Sequence, residues 1–228
     1  MAVFRSTLFA IGAALPVLAF APAANAQSDE GKFQIKGFLT SVTPDGAISD
    51  VATDAIGLPA DAQTEASDSV VPTIAIEYFF NDNFSFETIC CVTPHDVDGD
   101  GALAGTNLID DAIILPATLT AKYHFDPIGN FKPYLGAGPT YFIIFDEGVG
   151  ADAAALGATD VDLSDEFGFV LQGGVDMKLG NNGWGLSVDA KRYFVGTTAT
   201  FDAGSSVALQ SDHDLDPWVV SAGVTYRF

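Results

Sequence analysis

Residues 218–228 read Trp-Val-Val-Ser-Ala-Gly-Val-Thr-Tyr-Arg-Phe. Trp218, Val220, Ala222, Val224, Tyr226 and Phe228 form one alternating set, apolar or aromatic almost throughout. Ser221, Gly223, Thr225 and Arg227 form the other, small or polar. An alternation of period two marks a strand whose faces meet different surroundings.

Working backwards, the same alternation with β-branched and aromatic residues predicts seven more strands. They lie at roughly 32–43, 70–80, 84–93, 116–125, 131–145, 166–179 and 184–201, and the last strand takes 217–228. The connections alternate in length. Asn81-Asp82-Asn83, Asp126 to Asn130 and Gly180 to Gly183 are tight turns, whereas 44–69, 94–115, 146–165 and 202–216 are long. Short periplasmic turns alternating with long external loops are the pattern of outer-membrane barrels.

The N-terminal residues point the same way. Arg5, the apolar run Leu8 to Ala21 and the Ala24-Asn25-Ala26 site read as a cleaved Sec-type signal peptide over residues 1–26. That run is interrupted by Pro16 and falls short of the roughly 20 residues needed to span a bilayer. Residues 27–228 are then a single barrel domain. Hydrophobic residues make up 48% of the chain, yet no later apolar run is long enough for a spanning helix. In a membrane such strands must close into a barrel, because every backbone polar group needs an internal partner. The expected fold is therefore all-β, an eight-stranded antiparallel transmembrane β-barrel with short periplasmic turns and long acidic extracellular loops. A lipocalin-like soluble barrel would turn its apolar face inward, which the outward Trp218, Val220, Val224, Tyr226 and Phe228 oppose.

Pro116-Ala-Thr-Leu-Thr-Ala-Lys-Tyr-His-Phe125, followed by Lys132-Pro-Tyr-Leu-Gly-Ala-Gly138, resembles the core of the OmpW family. Asn83 to Glu87 with Thr93-Pro94-His95, Gln172 to Asp176, Asp189 to Arg192 and Asp216-Pro217-Trp218 are similar to further strands of that family, in order. Tyr226 and Phe228 resemble the terminal signal read by the barrel-assembly machinery. The resemblance implies the cell outer membrane, contact with its lipids, and a narrow channel that passes small hydrophobic molecules. The loops match no pattern, so no loop function is carried over.

Alternation also lists the interior. In the periplasmic half Lys36, Lys122, Lys178, Lys191 and Arg227 face Glu77, Glu87, Asp176 and Asp189. An eight-stranded barrel is just wide enough for side chains to fill, and buried charges persist only when paired. These nine residues are expected to form an ionic plug; the functional alternative is an acid–base relay. In the outer half Phe38, Val42, Ile89, Phe142, Ile144, Val170, Tyr193 and Val195 point inward with Cys91. They read either as a hydrophobic vestibule for a solute or as plain packing.

The formal charge is −21, and the long loops hold most of the 30 acidic side chains with no Lys or Arg. Such a surface repels nucleic acid and gathers cations. Asp96-x-Asp98-x-Asp100-Gly101 matches the first half of a calcium loop, although Asn107 stands where a bidentate Glu belongs. Calcium there is the only cofactor suggested. Cys90 and Cys91 are adjacent, a poor spacing for a disulfide. No Ser/His/Asp spacing singles itself out, so the chain is not expected to be an enzyme. A monomeric transport barrel is the leading expectation. A structural or interaction barrel, serving as receptor, adhesin or cation-bridging surface, is the alternative, and a fully packed upper interior would favour it.

Overall fold

The computed structural model describes residues 31–228, so the proposed signal peptide lies outside the described residues. Fifteen strands follow one another. Eight of them form the barrel: β1 (Phe33–Thr43), β4 (Ser69–Phe79), β5 (Phe84–Cys90), β7 (Asn107–His124), β8 (Phe131–Phe145), β11 (Glu166–Lys178), β12 (Trp184–Phe194) and β15 (Trp218–Arg227). Each pairs antiparallel with the next, β15 returns to β1, and the ring is closed. The three short turns sit where expected. Asn81 Oδ1 accepts hydrogen bonds from the backbone N–H groups of Asn83 and Phe84, each at 2.9 Å, which pins the turn after β4.

Burial alternates as the sequence demands. On β1, Gln34, Lys36, Phe38, Thr40 and Val42 are buried, while Phe33, Ile35 and Leu39 are exposed. Exposed here means facing lipid, because the outward residues are apolar all round the ring. Trp184 pairs with Tyr226, and Arg192 with Trp218. From Trp218 to Tyr226, at roughly 3.3 Å per residue and roughly 40° of tilt, the strand climbs about 20 Å. That is close to the apolar band, about 25 Å tall, of outer-membrane barrels.

The external segments depart from expectation. Rather than loops they are largely strands: β2 (Ala47–Asp54), β3 (Ala62–Ala66), β6 (Thr93–Gly101), β9 (Gly148–Val149), β10 (Asp160–Leu163), β13 (Gly196–Ala203) and β14 (Ser206–Asp214), with one short helix, α1 (Ala151–Ala155). β10, β13, β14 and β2 form a separate four-stranded sheet, and β3 and β6 extend the barrel wall beside β7. The strand expected at 184–201 therefore splits. Alternation runs unbroken through Val195, but the backbone of Val195 bonds to Asp216, and β13 leaves the barrel to pair with β14. Likewise β7 starts at Asn107 rather than near 116, because it continues outward as the partner of β6.

Candidate functional site

The interior has two layers separated by hydroxyl groups. In the middle, Thr40 bonds Ser221 at 2.9 Å and Thr118 bonds Thr140 at 2.8 Å, all four buried.

Below them lies the plug. Lys36 Nζ is 2.8 Å from Glu77, 3.1 Å from Glu87 and 3.4 Å from Asp176. Lys122 Nζ is 3.0 Å from Glu77 and 2.8 Å from Glu87. Lys191 pairs with Asp189 and approaches Glu87 at 3.5 Å. These side chains come from β1, β4, β5, β7, β11 and β12, so the network ties most of the ring together. Lys36, Glu77, Glu87, Lys122, Asp189 and Lys191 are all buried.

The structure brings Lys36, Glu77, Glu87, Lys122, Asp176, Asp189 and Lys191 together and places Lys178 and Arg227 lower down. Lys178 is exposed, and Arg227 lies over the Phe79 ring at 3.7 Å with its Nε donating to the Gly31 carbonyl. Both belong to the mouth below the plug, because their strands end there. Four polar residues outside that set complete the plug. Gln172 donates to Glu87 and Asp189, each at 2.7 Å, and the Tyr134 hydroxyl donates to Asp189 at 2.7 Å. His124 Nε2 lies 2.8 Å from Glu77, and Ser85 bonds both Glu77 and His124. Tyr134 also offers its ring to Lys122 Nζ at 3.7 Å. The ring crosses the barrel beside Gly174, where an added Cβ would fall 2.4 Å from the tyrosine oxygen. Strand parity alone points Tyr134, Gln172 and Gly174 inward.

Above the hydroxyl layer the wall is apolar. Val42, Phe142, Ile144, Val170, Tyr193 and Val195 form one buried cluster, and it continues upward into Ile109, Val161, Leu163, Ala199 and Leu215 of the external segments. Phe38 and Ile89 form a small second cluster with Ala75. The expected vestibule residues are thus all inward and mostly together, but they are covered. A cavity of about 20 Å³ remains among Val42, Ile89, Cys91, Phe142, Tyr193 and Val219, room for about one water.

Two histidines fasten the cover. His95 Nδ1 lies 2.6 Å from the Ser67 carbonyl, next to the cavity. His213 contacts Thr64 at 3.1 Å, the Gly46 carbonyl at 3.2 Å and Ser211 at 2.8 Å. Burial pushes both imidazoles below their ordinary range, against an upward pull from the bonded carbonyls and from Asp68 and Asp96, or Asp212 and Asp214.

The expected calcium loop is a strand. Asp96, Asp98 and Asp100 lie on β6, exposed at alternate positions, and β6 pairs with β3 and β7. Among the described residues no three His, Cys, Asp or Glu side chains are grouped to hold a metal. Cys90 and Cys91 are both free thiols, one exposed and one buried.

The barrel wall weakens beside the cavity. β5 pairs with β7 as far as Ile89 with Thr118, and pairing along β7 resumes only at Ile114, with Thr93 of β6. Pro116, which has no N–H to give, sits in the gap, and it lines the cavity with Cys91 and Thr93.

Comparison with known proteins agrees with this architecture. The sequence profile of the OmpW family matches residues 29–228. An uncharacterized outer-membrane protein, y4mB, of Sinorhizobium fredii is 33% identical, over 100% of this chain and 95% of that protein. Outer membrane protein W of Vibrio cholerae is 30% identical over 87% of this chain and 89% of its own length. The dibenzothiophene metabolism operon protein PahQ of Pseudomonas aeruginosa is 29% identical over 72% and 74%. Among solved structures, OprG of Pseudomonas aeruginosa superposes with a TM-score of 0.76 at 28% identity, over 87% of this chain and 96% of its own. A closed eight-stranded outer-membrane barrel with this order of motifs belongs to the OmpW family.

Proposed function

We propose that this barrel takes small hydrophobic molecules from the medium into its apolar upper interior and releases them sideways into the outer membrane. The observation that carries the reading is the position of the apolar cavity. It lies between a plug that bars the way to the periplasm and a gap in strand pairing that faces lipid. An apolar solute loses little in crossing from Phe142 and Ile89 to Cys91, Val92 and the hydrocarbon beyond. Crossing the plug would instead break a network of buried ion pairs. The likeness to PahQ supports the choice of solute, since the operon of that protein is named for the metabolism of an apolar heteroaromatic compound. At about 20 Å³ the cavity holds little more than a water, so admission of a solute requires the cover or the inward aromatics to move.

The test is uptake of a neutral aromatic solute by vesicles with and without the barrel. The Cys90→Ser barrel, which keeps Cys91, should in addition react with an apolar maleimide faster than with a charged thiol reagent. Equal uptake with and without protein would remove the proposal.

The tight cover favours a second reading, an interaction barrel whose structured acidic surface engages partners or cations. That reading gains if uptake fails while the external sheet alone can be deleted without loss of the barrel.

A further inference from the structure

The two ends of the barrel differ in charge. The external segments contain no Lys or Arg, whereas the short-turn end opens into a basin of about 690 Å³ lined by Lys132, Lys178 and Arg227. Among the described residues its wall holds the Asp176 side chain, which is already within 3.4 Å of Lys36 in the plug, and the terminal carboxylate of Phe228, so the three side-chain cations outnumber the carboxylates by one. Gln34 and Thr225, both buried, add an amide and a hydroxyl, and Met177 and the exposed Phe228 supply the apolar part of the wall.

We propose that this periplasmic basin binds small carboxylates that carry an apolar body. The basin falls within the roughly 300–1,000 Å³ of ordinary ligand pockets, which are apolar clefts with a few placed polar groups. Its guanidinium is preorganised. Arg227 lies flat over Phe79 at 3.7 Å and is tied through Nε to the Gly31 carbonyl. A planar guanidinium suits a carboxylate better than a spherical anion, because two parallel N–H···O bonds can form. Lys132 stands 5.9 Å from the same ring, so a carboxylate at the Arg227 guanidinium has a second cation nearby. The three cations have other partners as well, so an arriving carboxylate binds by exchange, and modest, salt-sensitive affinity is expected. The plug above is complete without this basin, and the apolar cavity lies beyond it, so the proposal is independent of the transport reading.

The experiment is calorimetric titration of the folded full barrel in an uncharged detergent with benzoate, benzyl alcohol and inorganic phosphate. Benzoate should bind saturably and more tightly than either of the others, and added salt should weaken it. Lys132→Gln with Lys178→Gln should weaken it about tenfold or more. Lys178 is exposed at the rim, so Lys178→Gln alone serves if the double variant does not fold. Absence of saturable benzoate binding overturns the proposal, as does equal binding by the lysine variants. Benzyl alcohol binding as well as benzoate would show an apolar cleft only, and tighter phosphate would show the wrong anion class.

Discussion

The lower and upper halves of this barrel use inward positions of the same strands for opposite chemistry. Below Thr40 and Thr118 the inward side chains are Lys36, Glu87 and Lys122, locked at 2.8 to 3.1 Å. Above them they are Val42, Phe142 and Ile144, held by shape alone. The difference teaches where each half can yield. Removing one member of a buried ionic network strands its partner, so the lower half is all or nothing. An apolar layer loses energy in proportion to the contact it loses, so the upper half can open by degrees.

The sharpest way to break this contrast is Glu87→Ala. Lys36, Lys122 and Lys191 would lose a shared partner, and the cost should be about 3–5 kcal/mol. Unfolding in denaturant, followed by the gel shift of the folded barrel, would show it. An unchanged midpoint would mean that the plug is wet and the halves are alike. In the upper half, Ile89→Ala should cost less, roughly 2–3 kcal/mol, and should speed uptake by enlarging the cavity it lines. Slower uptake with the same stability loss would show that Ile89 guides the solute rather than obstructing it.

Cys91 sharpens the contrast without touching stability. In the Cys90→Ser barrel its labelling by an apolar maleimide should slow when a neutral aromatic solute competes for the cavity. The smallest effect is in the cover. His95 and His213 have depressed values in the folded state, so the unfolded cover binds protons that the folded one does not. The stability they confer is full above the ordinary imidazole value of about 6.5 and declines as pH falls. Hydrogen-exchange protection factors at β14 and around Ser67, corrected for the intrinsic pH dependence of exchange, should fall on acidification, and His95→Gln with His213→Gln should flatten that response. An unaltered dependence in the double variant would place the sensitivity in the acidic side chains instead.

Much of this was legible from periodicity. A side-chain period of two assigns every barrel residue to lipid or lumen once one strand is anchored, and the aromatic face of 218–228 anchors it. Lys36, Glu77, Glu87, Lys122, Asp189 and Lys191 share one parity and one end of the barrel in the sequence, and in the structure they meet. Parity says which way a side chain points but not how high it stands. Lys178 and Arg227 share the parity of the plug and end in the mouth, while Tyr134, His124, Gln172 and Ser85 complete it.

The amino-acid sequence by itself determined the barrel: the number of its strands, the alternation of short and long connections, and the segregation of charge within. Backbone pairing inside a membrane admits few other solutions. Only the tertiary structure decided what the long segments do. Strands 47–54, 160–163, 196–203 and 206–214 find one another across the rim, and no local pattern in any of them specifies those partners. The same is true of the cavity. Its size is the small remainder left after the cover packs onto Phe142 and Tyr193, a sum over distant contacts that no stretch of sequence contains.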